Sequence, residues 1–162
     1  MLNDSTNPQA WQASLPKKCV AAGALFLDQQ GRLLIVKPTY KPLWNIPGDI
    51  VEADESPRQG CRREVKEEIG LDKSLERLLC VEYSAGTDSD VEKLLFVFWG
   101  GVLTAEEIAT IRLPAEELSD HCFLPVDEAL ALLPPAKATR VCRSLQVVEK
   151  GGAFYRESGQ DE

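Results

Sequence analysis

Three glutamates, Glu64, Glu67 and Glu68, fall in one short run of helix-forming residues. Each helical residue turns by about 100°, so with Glu64 at the origin Glu68 lies at about 40° and Glu67 at about 300°. The three carboxylates therefore share one face. Val65 and Ile69 form the neighbouring apolar stripe, the side that packs on a sheet. Like charges at these spacings repel by a few tenths of a kcal/mol per pair, and Arg63 and Lys66 offset part of that. A solvated acidic face is the plain alternative. The density of the cluster points further, to a site for one or two hard divalent cations. The Pro47-Gly48 loop ahead of it can return the backbone to the same side.

The rest of the composition narrows the metal. There is one histidine, His121, so neither a histidine cage nor a His–carboxylate zinc triad can be built. The five cysteines are odd in number, widely spaced and free of any C-x-x-C pair. That argues against a disulfide framework and a zinc ribbon. Oxygen ligands then point to Mg²⁺, with Mn²⁺ as substitute. No Ser, Cys or His constellation offers a covalent nucleophile.

The segment from Pro47 to Leu71 resembles the Nudix box, G-x5-E-x7-R-E-U-x-E-E-x-G-U, where U is bulky and aliphatic. Arg63-Glu64-Val65-Lys66-Glu67-Glu68-Ile69-Gly70-Leu71 matches every fixed position of its second half, and Glu55 stands at the upstream glutamate. The resemblance implies an α+β fold: a Nudix-type α/β/α sandwich with a mixed β-sheet and a loop–helix–loop box. It also implies Mg²⁺-dependent hydrolysis of a nucleoside diphosphate linked to another group X. Carried over residue by residue, Glu64, Glu67 and Glu68 are the metal ligands, with the Gly48 carbonyl as a further one. Arg63 holds the loop–helix–loop shape beside Glu55. Glu67 or Glu68 meets the attacking water. Pro114 to Phe123 resembles the family's later acidic loop, and Glu117, with Glu116 second, is the candidate base there.

Two positions depart from the pattern. The opening glycine falls at Asp49, and Asp54 replaces a glycine common in relatives. Asp tolerates left-handed backbone better than most residues, so the loop is expected to survive. The extra carboxylate either joins the metal site or repels substrate. A non-catalytic nucleotide-binding or sensing module on the same fold therefore stands as the alternative, and a plain interaction domain as a third. Tyr40 and Trp44 precede the box, where an aromatic face could stack on a base; Trp44 could equally anchor the core. Lys37 and Lys41 could meet terminal phosphates.

Elements must position these groups. Cys19–Leu27 and 32–37 read as a hairpin across Asp28-Gln29-Gln30-Gly31, followed by a short strand at 43–46. Ser56 caps a helix, Pro57 fits its first turn, Gln59 completes a capping box and Gly70 stops it. Strands are expected at 75–84, 91–99 and 121–124, helical segments at 104–110 and 126–133, and a last helix at 137–149. Residues 1–16 read as a loose arm with Trp11 as candidate anchor, 17–150 as one domain and 151–162 as a polar tail. The chain has 162 residues, enough for one compact domain, and a net charge of −8. Such acidity disfavours nucleic-acid and anionic-membrane partners. The apolar run at 19–27 is too short to span a membrane. A small nucleotide partner in the cytoplasm is expected, and a homodimer is left open.

Overall fold

The computed structural model describes residues 7–158. The outer parts of the expected arm and tail, 1–6 and 159–162, lie outside them. In chain order the elements are α1 (Pro8–Ser14), β1 (Cys19–Asp28), β2 (Leu33–Pro38), β3 (Gly48–Ile50), α2 (Pro57–Ile69), β4 (Arg77–Ser84) and β5 (Lys93–Leu103). They continue with α3 (Ala105–Ala109), β6 (Leu118–Leu124), α4 (Val126–Leu132), α5 (Pro135–Lys150) and β7 (Phe154–Ser158).

The sheet runs β6-β2-β1-β5-β4-β7, with β3 added on β1. β1 pairs parallel with β5 and antiparallel with β2 and β3; β4 pairs antiparallel with β5 and parallel with β7. The sheet is thus mixed. β1 reads as a nearly unbroken apolar run because both its faces are covered. On one face Ala22, Ala24 and Phe26 pack with Cys61, Val65 and Ile69 of α2. On the other, Leu25 meets Ala129 of α4 and Val141 of α5. This is the expected α/β/α sandwich.

Four local expectations are corrected. The arm carries α1, capped by Asn7 Oδ1, which accepts the N–H groups of Gln9 and Ala10. Trp11 is 50% exposed and is not part of the core among the described residues. The strand expected at 43–46 contracts to one bridge, Asn45 to Val36, and the paired strand is β3, beyond Pro47. Pro42 and Pro47 flank that stretch and cannot donate to a ladder. The stretch expected as a polar tail carries β7, a strand on the edge of β4.

Candidate active site

α2 begins as its sequence dictates. Ser56 Oγ accepts the Gln59 N–H at 3.2 Å, and Gln59 Oε1 accepts the Ser56 N–H at 2.8 Å. Such a cap contributes about 1 kcal/mol. Gly70, at φ +76°, closes the helix in the left-handed region. Between them Cys61, Val65 and Ile69 bury the seam, and Glu68 is buried beside it at 8% exposure.

Glu68 is therefore held against the loop. The Gly48 N–H donates to its Oε2 at 2.7 Å. That bond favours the ionised form, but burial outweighs it, and Glu64, Asp49 and Glu117 add like charge. The Glu68 carboxyl is pushed up to about 7. Burial also raises Glu64, against the Arg63 hydrogen bond that lowers it. Gly48 sits at φ +128°, and a Cβ there would stand 2.2 Å from the Ala22 carbonyl oxygen. Only glycine brings this N–H to Glu68.

Arg63 joins both sides of the loop–helix–loop. Its Nε and Nη2 donate to Glu55 Oε2 and Oε1 at 3.1 and 2.6 Å, a bidentate pair. Nη2 also reaches the Ile50 carbonyl at 3.2 Å. Nη1 donates to Glu64 Oε1 at 2.5 Å and Glu67 Oε2 at 3.1 Å. The guanidinium holds the Glu55 carboxyl below its usual range, and Glu55 Oε1 accepts the Glu52 N–H at 2.8 Å.

The donor set fits hard cations: oxygen only, with two carboxyls raised by burial and by neighbouring like charge. Among the described residues no three Asp, Glu, His or Cys side chains stand together as ready metal ligands. Arg63 is the local reason, since it draws Glu64 and Glu67 toward itself.

Asp49 lies in extended β3, paired with Ala22, and not in the left-handed region. Positive φ falls instead on Gly48 and on Asp54, at 65°. Backbone freedom is thus not what position 49 supplies; its carboxylate acts by raising Glu68 and Glu64. Asp49→Asn should keep the strand and lower the titration midpoint of Glu68. ¹³C NMR of the glutamate carboxyls reads it, and an unchanged midpoint would contradict this account.

The other expected residues divide. Glu117 is exposed on the loop before β6, and its carbonyl accepts the Thr39 N–H at 2.9 Å. Its charge reaches Glu68 and Tyr40. Tyr40 is 63% exposed; burial and then Asp49, Glu68, Glu117 and Glu64 raise its hydroxyl. Trp44 packs against the α4/α5 core. Lys37 is turned into its own loop, donating to the carbonyls of Lys41 and Pro42 at 2.9 and 2.5 Å.

A cleft of about 390 Å³ opens beside Gly48 and Asp49, floored by Ala21, Gly23 and Leu95. Its far wall holds Lys137 and Arg140 of α5 and Glu82 of β4. Sequence reasoning missed this wall. Its residues lie far apart in the chain, and the only local signal was a basic pair, one turn apart, after Pro134-Pro135.

The NUDIX domain model matches residues 17–143. The chain belongs to the NUDIX family. A MutT-like protein of Streptomyces ambofaciens is 33% identical over 78 residues, 48% of this chain and 50% of that one. A putative ADP-ribose pyrophosphatase of Bacillus subtilis is 38% identical over 64 residues, 40% of this chain and 30% of that one. This NUDIX chain spans about half the length, or less, of these curated relatives. The MutT protein of Methanosarcina mazei superposes with a TM-score of 0.68 at 22% identity, covering 86% of this chain and all of that one. The NUDIX domain of Shewanella oneidensis NrtR, solved with ADP ribose, gives 0.69 at 17%, covering 88% and 99%. At such identities the likeness establishes the NUDIX fold alone. Among the described residues, no helix is long and apolar enough to cross a membrane.

Proposed function

We propose that this chain is a Mg²⁺-dependent hydrolase that cleaves the phosphoanhydride of a nucleoside diphosphate linked to a second group. The observation that carries the reading is Glu68. It is a buried carboxyl raised to about 7, fixed by the Gly48 N–H on the helix face shared with Glu64 and Glu67. A diphosphate and four carboxylates repel one another unless cations stand between them. Glu64, Glu67 and Glu68 would hold those cations, with the Gly48 carbonyl as an added oxygen. Bound Mg²⁺ supplies charge neutralisation and the acidification of water; Mn²⁺ would substitute.

The chain's own groups do the rest. Glu68, which a neighbouring cation would keep ionised, or Glu67 with its 56% exposed side chain, accepts the proton of the attacking water. Glu117 is a later-loop base. Arg63 and Glu55 keep the loop rigid. Tyr40, beside the carboxylates, offers a ring to the substrate, and the cleft receives its remainder. Neither nucleic acid nor membrane is a proposed partner, given a charge of −8, and a cytoplasmic setting goes with that.

A panel of nucleoside diphosphate derivatives and 5′-triphosphorylated RNA, with Mg²⁺ or EDTA, tests the reading. Cleavage is expected with Mg²⁺ alone, and in ¹⁸O water the label should enter a phosphate product in one step. Activity in EDTA, or none with Mg²⁺, would sink it. A second reading, nucleotide binding without turnover, draws on Arg63, whose hold on Glu64 and Glu67 competes with cations. Binding without cleavage in the same panel would favour it.

A further inference from the structure

The pairing of β2 with β6 breaks where a proline enters it. Lys37 stands opposite Asp120, but the next partners are Pro38 and Leu118, so Ser119 is an extra residue in β6. Pro38 has no N–H to give to the ladder. The extra residue turns Leu118 into the core under α2, where it packs with Leu34 and Val36. It also brings the chain just ahead of Leu118 to the end of β2. That chain is a tight turn, in which the N–H groups of Glu117 and Leu118 both donate to the Pro114 carbonyl at 2.9 Å.

Beyond the break, side chains continue the seam. The Thr39 N–H donates to the Glu117 carbonyl at 2.9 Å. The Thr39 hydroxyl donates to the Glu116 carbonyl at 2.9 Å, with the Glu117 carbonyl at 3.3 Å as its second acceptor. Among the described residues Thr39 is the one side chain hydrogen-bonded to Glu116 and Glu117. In the bulge, Ser119 Oγ donates to the Lys37 carbonyl at 3.2 Å. Lys37 Nζ in turn closes the stretch after Thr39 through the carbonyls of Lys41 and Pro42. The loop that carries Tyr40 and the turn that carries Glu117 are therefore joined at one residue. Thr39 is itself exposed and adds nothing to the core. Water could serve the two carbonyls as well, and an exposed hydrogen bond contributes little to stability. What the hydroxyl fixes is the spacing of two loops whose charge and ring reach the same place: Glu117 acts on Glu68, and both act on Tyr40.

We propose that Thr39 is a positioning residue, whose hydroxyl ties the Glu117 turn to the Tyr40 loop and so holds the Glu117 carboxylate at the rim of the Glu64, Glu67 and Glu68 site. The proposal rests on the hydrolase reading, with Glu117 as the later-loop base. Thr39 touches neither substrate nor cation and acts through Glu117. A base works only within hydrogen-bond reach of the proton it takes. A shift of about 1 Å in a positioned group can cost on the order of 100-fold in rate, so a small tether has a large lever.

Two variants of the full chain separate the hydroxyl from the rest of the side chain. Thr39→Val keeps the branched shape and the N–H, and Thr39→Ser keeps the hydroxyl. With Mg²⁺ and a substrate that the panel finds cleaved, Thr39→Val should lower kcat about tenfold or more and leave KM within about twofold. Thr39→Ser should keep most of the wild-type kcat, and both melting temperatures should stay close to wild type. The deciding measurement is a double-mutant cycle with Glu117→Gln. In that background Thr39→Val should cost less than about twofold more. A full further loss there would mean that Thr39 does not act through Glu117, and an unchanged kcat in Thr39→Val alone would mean that it positions nothing; either overturns the proposal. A metal-free arm needs no turnover. Amide hydrogen exchange at Glu117 and Leu118 should quicken about tenfold in Thr39→Val and stay near wild type in Thr39→Ser. Unchanged exchange in Thr39→Val overturns the tether. If the wild type cleaves no member of the panel, the hydrolase reading fails, and the exchange arm still decides the tether.

Discussion

Replacing Glu68 by Gln is expected to lower kcat about 10²–10⁴-fold, the range for a lost base or metal ligand, while making the metal-free protein more stable at neutral pH. The two effects share one cause. Burial and the charges of Glu64, Asp49 and Glu117 raise the Glu68 carboxyl from 4.5 to about 7. The folded chain therefore binds this proton more tightly than the unfolded chain does. Its contribution to stability is fully present below pH 4.5 and is lost as pH rises through about 7. The melting temperature of the metal-free wild type should fall between pH 5 and pH 8. Glutamine keeps an oxygen for the Gly48 N–H and removes the charge, so the variant's profile should be flatter and higher at pH 8. Saturating Mg²⁺ should narrow the gap by stabilising only the wild type. Thermal melts across pH and steady-state rates read all of this. A variant with near wild-type rate and an unflattened pH profile would detach Glu68 from the chemistry.

What the sequence disclosed was local. The Ser56/Gln59 box, Gly70 and the wheel of Glu64, Glu67 and Glu68 depend on neighbours within a few residues, and α2 forms as those neighbours require. What it hid was non-local. Nothing near Gly48-Asp49-Ile50 announces that these residues pair with Ala21, Ala22 and Gly23, yet that pairing fixes the Gly48 N–H against Glu68. Phe154 to Ser158 reads as a polar tail because its apolar positions are few. It becomes a strand because β4 offers an open edge and α5 delivers the chain there. Asp49 was open to two interpretations, backbone or charge, and the φ values separate them: the left-handed positions are 48 and 54. The far wall of the cleft needs α5 and β4 at once, and spacing along the chain cannot display it.

Gly48→Ala is expected to be the most damaging single change to the fold of the site. An added Cβ would lie 2.2 Å from the Ala22 carbonyl oxygen and 2.5 Å from Gly23 Cα. Both neighbours are backbone of the central strand β1, so no rotamer change can relieve the contact. The residue must also hold φ +128°, which side-chain-bearing residues rarely adopt. Strain and overpacking together should cost about 3 kcal/mol or more. For a domain of this size that lowers the melting temperature by roughly 6–12 °C. The chain can relieve the clash by parting β3 from β1, which draws the Gly48 N–H away from Glu68 and leaves a buried carboxylate without its donor. Cation affinity and turnover should therefore fall with stability. Gly31→Ala separates clash from conformation. Gly31 also has positive φ, +76°, but nothing lies within 4 Å of the place its Cβ would take. That variant should lose about 1 kcal/mol, with turnover kept. Equal melting temperatures for the two variants would mean that β1 yields to the new methyl group, and that the grip of Gly48 on Glu68 does not depend on glycine.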